Sequence, residues 1–154
     1  MNKSYFNALR PLLPTNLHNK VVLDLACNAG FVSFELAKLG AKVTAFDISE
    51  TYIDQANLVM CRIEVPRVHF IIMDIEKLEP SFYLPDLILL LSCLYHLKDP
   101  KAMIKKVCNT SADVIASFRL NNYDKFISLF NQFGRTPSAT ANYGRKKAAL
   151  FRKP

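Results

Sequence analysis

Three acids, Asp24, Asp47 and Asp74, stand where carboxylates could recognise a nucleoside. Asp47 closes the apolar run Lys42-Val43-Thr44-Ala45-Phe46-Asp47-Ile48, and Asp74 follows the run from Val68 to Met73. A carboxylate at the end of a buried strand can accept from both hydroxyls of a ribose. One strand further on, a second can accept from an exocyclic amine while Ile48 or Ile75 packs on a purine face. Asp24 opens a turn, Asp24-Leu25-Ala26-Cys27-Asn28-Ala29-Gly30, that limits which nucleoside can follow. The dinucleotide pattern G-x-G-x-x-G would require glycine at Ala26, Asn28 and Phe31, and Phe31 bars a close approach to a pyrophosphate. The pattern D-x-G-x-G-x-G fits better. Asp24 and Gly30 match it, Ala26 is small, and Asn28 is the non-glycine type that best tolerates positive φ. These residues describe an adenosine site, and the plain alternative for the acids is that they cap helices or satisfy loop amides.

The elements needed to hold such residues at one edge follow from the hydrophobic period. Val21 to Ala26 is a short apolar run suited to a strand buried on both faces. Phe31 to Leu39 carries Val32, Leu36 and Leu39 on one helical face, with Gly40 at the helix-stopping position. Lys42–Ile48 forms the second strand, and Ser49 caps a helix running to about Ile63. Pro66 divides that helix from a third strand, Val68–Met73. Pro85 leads into the fourth strand, Asp86–Leu91, and Asp99-Pro100 starts the next helix. Ala112–Phe118 is a fifth strand, Asn122–Phe133 a fifth helix with Phe126, Leu129, Phe130 and Phe133 on one side, and Lys146–Arg152 a last strand. The alternation implies right-handed βαβ units in a Rossmann-like three-layer α/β/α sandwich with a mostly parallel sheet. Ligands of such sheets bind beyond the carboxyl ends of the strands.

The chain of 154 residues, with 51% hydrophobic residues, suits one minimal domain over 1–154. An N-terminal helical segment, 1–19, precedes a core at 20–154. No stretch has the form of a signal peptide or the length of about 20 apolar residues that a bilayer span needs, so the expectation is a cytoplasmic protein with no membrane association. The cysteines at 27, 61, 93 and 108 show no metal-ligand spacing and read as small buried residues in a reducing compartment; no metal is expected. The net charge of +7 is concentrated at the C-terminus. Residues 135–154 hold Arg135, Arg145, Lys146, Lys147, Arg152 and Lys153 with no acid, which suits a solvated edge or the footprint of a polyanion.

The stretches "LDLACNAGFVSFELAKLGAKVTAFDIS" and "DLILLLSCLYHLKDP" resemble the class I S-adenosylmethionine-dependent methyltransferases. The likeness is to the branch holding tRNA wobble-uridine methyltransferase-like proteins and sugar or small-molecule O-methyltransferases. It implies S-adenosyl-L-methionine as cofactor, with its amino-acid portion over Ala26, Cys27, Asn28 and Gly30 and its carboxylate near backbone amides at the helix start. Asp47 would hold the ribose, Asp74 and Ile75 the adenine, and Ser92 with Cys93 the floor beneath the reactive methyl. Ala26 and Asn28 depart from the family's glycines. Tyr95 and His96 fall beside the methyl. An imidazole of pKa about 6.5 suits removal of an acceptor proton, and a phenol suits its positioning; helix-start packing is the alternative for both. Three readings stay open: a methyltransferase acting on a small molecule or sugar, one acting on RNA through the basic C-terminus, and a silent cofactor- or partner-binding fold. With no capping insertion, a homo-oligomer or a partner subunit could complete the acceptor side.

Overall fold

Runs of Val, Leu and Ile too short for helices form the centre of the sheet. In the computed structural model, which describes residues 3–63 and 67–153, the strands are β1 (Val21–Leu25), β2 (Lys42–Asp47), β3 (Val68–Ile72), β4 (Leu87–Leu91), β5 (Asp113–Arg119), β6 (Pro137–Tyr143) and β7 (Lys146–Phe151). They pair in the order β3-β2-β1-β4-β5-β7-β6. The first five are parallel, whereas β7 runs antiparallel to both β5 and β6. Every residue of β4, Leu-Ile-Leu-Leu-Leu, is buried, as a strand covered on both faces must be.

The helices are α1 (Lys3–Leu9), α2 (Phe31–Lys38), α3 (Glu50–Met60), α4 (Pro100–Cys108) and α5 (Tyr123–Gln132). One core joins Phe6, Leu9, Phe34, Leu36 and Ile53 to one face of the sheet. The other joins Met103, Ile104, Val107, Phe126 and Phe130 to the opposite face. This is the expected three-layer sandwich. The helix signals act as their chemistry requires. Ser49 Oγ accepts from the Tyr52 amide at 3.4 Å and Asp99 Oδ1 from the Ala102 amide at 2.9 Å. Gly40, at φ +91°, ends α2 with its amide on Ala37 O, followed by the Ala41 amide on Leu36 O.

Three expectations are corrected. Strand β6 is absent from the sequence reading because its inward residues, Ala139, Ala141 and Tyr143, include two alanines that leave little period-two signal. Arg135 is no part of a polyanion footprint. It is 1% exposed, and its guanidinium donates to the carbonyls of Ala112 (3.0 Å), Cys108 (3.2 Å) and Thr110 (2.7 Å). Cys61 is exposed and Cys108 half-buried, leaving Cys27 and Cys93 as the buried cysteines. Element ends also shift: Ala26 leaves β1 because its φ is +63°, and α3 stops at Met60. The boundary expected at Pro66 lies outside the described residues.

The register sets Leu25 beside Phe46 on one side and Leu90 on the other. After β1 the chain builds β2 and β3 outward, then returns across β1 to β4. This reversal opens a crevice at the carboxyl ends of β1 and β4.

Candidate active site

The turn after β1 forms the base of the crevice. Ala26, Asn28 and Gly30 have φ of +63°, +54° and +77°, so the positions that the D-x-G-x-G-x-G pattern reserves for glycine are the ones that need left-handed backbone. Ala26 holds that conformation at a cost of about 1 kcal/mol. At Gly30 a Cβ would stand 2.5 Å from the Phe70 ring, so only glycine fits without displacement. The turn is tied to the next strand by the Cys27 amide on Phe46 O and the Asn28 amide on Asp47 Oδ2, both at 2.8 Å.

Asp47 has its other oxygen, Oδ1, on the Ser49 amide at 2.9 Å. It therefore satisfies loop amides, and each oxygen keeps a second lone pair for a ligand hydroxyl. Asp47 lines a cavity of about 620 Å³ together with Ala26, Asn28, Ile48, Asp74 and Ile75. Asp74 caps the short 3-10 turn Ile75–Lys77 through the Glu76 amide, at 3.0 Å. Ile75 is buried, whereas Ile48 leaves 70% of its surface exposed, so Ile48 offers the free apolar face.

The far wall is the end of β4. Ser92, at φ +60°, lines the cavity beside Cys93 and His96. Its hydroxyl meets Ser117 Oγ at 3.1 Å, and Ser117 meets the Tyr5 hydroxyl at 2.7 Å. This buried chain, from α1 through β5 to the cavity, escaped sequence reasoning because its members lie far apart in sequence. His96 is exposed in the 3-10 turn Leu94–His96, its ring 4.4 Å from that of Tyr95. Tyr95 does not line the cavity; the Arg119 guanidinium covers its ring at 5.1 Å.

Asp24, Cys27 and Gly30 lie beneath the cavity surface rather than on it. Asp24 Oδ2 accepts from Ser33 Oγ at 2.6 Å, and its buried Oδ1 has no partner. Burial, opposed by the Ser33 bond, pushes the Asp24 carboxyl up to about 6. Burial, and then the charge of Asp24, pushes the Cys93 thiol up to about 12, and the same causes raise Cys27 further. Neither is a ready thiolate nucleophile. Glu76, Lys98 and Lys146 also line the cavity. Glu76 is held in place by the amides of Lys98 and Asp99. Lys146 stands with Nζ 5.4 Å from the Tyr5 ring. No cluster of three metal-ligating side chains occurs among the described residues.

Comparison with known proteins agrees with this geometry. Residues 22–128 match the methyltransferase-domain family. A ubiquinone biosynthesis O-methyltransferase of Coxiella burnetii is 38% identical over 89 residues, covering 58% of this chain and 38% of the relative. A tRNA U34 carboxymethyltransferase of Nautilia profundicola is 32% identical over 135 residues, covering 80% of this chain and 42% of the relative. The chain thus spans about two fifths of these relatives' length. Among solved structures, magnesium protoporphyrin IX methyltransferase of Synechocystis with bound S-adenosylmethionine superposes at a TM-score of 0.77 and 21% identity, covering 97% of this chain and 75% of the other. An S-adenosylmethionine-dependent methyltransferase of Listeria monocytogenes superposes at 0.80 and 17% identity, covering 99% of this chain and 100% of the other.

Proposed function

The chain belongs to the class I S-adenosylmethionine-dependent methyltransferases, and from that premise we propose that it methylates a hydroxyl of a small-molecule or sugar acceptor. The observation that carries the reading is His96 on the wall of the cavity of about 620 Å³, beside Ser92 and Cys93, where a side chain able to take a hydroxyl proton meets the site. When bound, the cofactor supplies an electrophilic methyl on a sulfonium. The residues present fit such a group: Asp47 retains free lone pairs for two hydroxyls, Ile48 exposes an apolar face beside Asp74, and the turn exposes backbone through three left-handed residues.

In this reading Asp47 holds the ribose, while Asp74 accepts from the adenine amine with Ile48 and Ile75 against its face. The Ala26–Gly30 turn and the start of α2 seat the amino-acid portion. An α-ammonium above the turn is a group that would suit the unpartnered oxygen of Asp24. Ser92 and Cys93 form the floor. His96 accepts the acceptor's hydroxyl proton, and Tyr95, its ring tilted against that of His96 and covered by Arg119, keeps the imidazole in place. Because a sulfonium would give up its methyl readily, with the C–S electron pair left on a neutral thioether, alignment and exclusion of water supply the rest of the rate.

A second reading, an RNA acceptor, rests on the likeness to the tRNA-modifying relative over 80% of the chain. Labelled cofactor offered with total RNA and with a metabolite extract, at low and moderate salt, separates the two. Label in a small molecule, lost in His96→Gln with cofactor affinity unchanged, supports the first reading. Label in RNA alone replaces it with the second, and label in neither fraction overturns both.

A further inference from the structure

The carboxyl edge of the sheet is polarised. Asp47 and Asp74 stand over β2 and β3, and at the other end, where β5 meets β7, the sheet carries cations. Arg119 and Lys146 are cross-strand partners, whereas Lys147, opposite Phe118, turns to the other face of the sheet. Each cation lies against an aromatic ring: Arg119 at 5.1 Å from Tyr95, Lys146 at 5.4 Å from Tyr5, Lys147 at 4.3 Å from Tyr123. The ion pairs among the described residues are Lys20–Asp86, Lys38–Glu35 and Arg152–Asp113, so no described carboxylate neutralises any of these cations. A ring face restrains a cation without cancelling its charge. Held cations with no counter-charge attract an anion, and Lys146 lines the same cavity as His96.

Resting on the methyltransferase reading, we propose that Arg119 and Lys146 form a clamp for a phosphate or carboxylate group of the acceptor. The clamp lies at the β5–β7 end of the cavity, away from Asp47 and Asp74, so it selects acceptors that carry negative charge. Its two members are cross-strand partners on hydrogen-bonded strands, which sets their spacing through the sheet rather than through a loop. A guanidinium and an ammonium bind phosphate by fork and point-charge contacts. The anion has two sources, a nucleic-acid backbone or a small phosphorylated or carboxylated molecule, and both present the same group to the clamp.

The test uses inorganic pyrophosphate and a single-stranded RNA 12-mer as probes, titrated into the full chain with and without saturating S-adenosylhomocysteine. The Arg119→Gln/Lys146→Gln double variant is expected to lose at least tenfold in pyrophosphate affinity, while Lys42→Gln, at the opposite edge of the sheet, binds as wild type. Amide NMR shifts are expected at residues 117–120 and 145–148. RNA binding tighter than pyrophosphate and steeply salt-dependent identifies the backbone source, and comparable weak binding identifies the small anion; both support the clamp. Unchanged pyrophosphate affinity in the double variant, or equal loss in Lys42→Gln, overturns it. Failure to bind S-adenosylhomocysteine would overturn the methyltransferase reading instead, and the arm without that ligand still reads the clamp.

Discussion

Replacing Asp47 by Asn separates two tasks that one carboxylate performs. In the protein, its oxygens accept from the Asn28 and Ser49 amides at 2.8 and 2.9 Å. An Asn side chain offers one acceptor and turns an NH2 toward the other amide, leaving one donor unpaired at a cost of about 1–3 kcal/mol. At roughly 2–4 °C per kcal/mol for a chain of this size, the variant melts several degrees lower but remains folded. Cofactor binding suffers separately. Two hydroxyl bonds to a charged acceptor, at about 1.5–3 kcal/mol each, make the loss for S-adenosylhomocysteine on the order of 10²- to 10⁴-fold. Calorimetry of wild type and Asp47→Asn, each with S-adenosylhomocysteine and with its 2′,3′-dideoxy analogue, isolates that part. The loss on mutation shrinks below about tenfold for the analogue, because the hydroxyls are already gone. Equal losses for both ligands would refute the reasoning and leave Asp47 acting only through the turn.

Other substitutions probe the frame around it. Gly30→Ala combines a left-handed φ of +77° with a Cβ 2.5 Å from Phe70, so it loses about 1–2 kcal/mol from the backbone alone, and an unchanged melting temperature would contradict the turn geometry. Asp24, held up to about 6 from 3.8, keeps a proton on folding that the unfolded chain releases. The stability this adds is complete below about pH 4 and is lost as pH rises through 6, a change on the order of 3 kcal/mol. Stability of Asp24→Asn relative to wild type should therefore rise between pH 4 and 6 and then level off, whereas parallel curves would show that the carboxyl does not titrate in that window. Arg135→Ala strands three carbonyls and should cost more than about 3 kcal/mol in urea unfolding, against less than about 0.5 kcal/mol for exposed Arg145→Ala.

Much of this site was legible because its signals are local. The Asp24-x-Ala26-x-Asn28-x-Gly30 spacing announced alternate left-handed residues, and the apolar runs ending near Asp47 and Asp74 placed those acids at one edge. Capping at Ser49 and Asp99 likewise depends on residues within three positions. What stayed hidden depends on contacts across the chain. Tyr5 reaches Ser117 over 112 residues of sequence, and nothing near Tyr5 marks that partner. Arg135 has the composition of a solvated cation and the environment of a core residue, a difference set by the three carbonyls that converge on it. Lys146 is indistinguishable in sequence from Lys147, yet strand alternation turns the first toward Tyr5 and the second toward Tyr123.

The most direct measurement of the central claim is calorimetric titration of the purified chain with S-adenosylmethionine, S-adenosylhomocysteine and NAD. The turn, the carboxylate of Asp47 and the exposed face of Ile48 predict micromolar binding of both adenosyl ligands and none of NAD, whose pyrophosphate the glycine-poor turn and Phe31 exclude. Binding of NAD, or of no adenosyl ligand, would contradict the account.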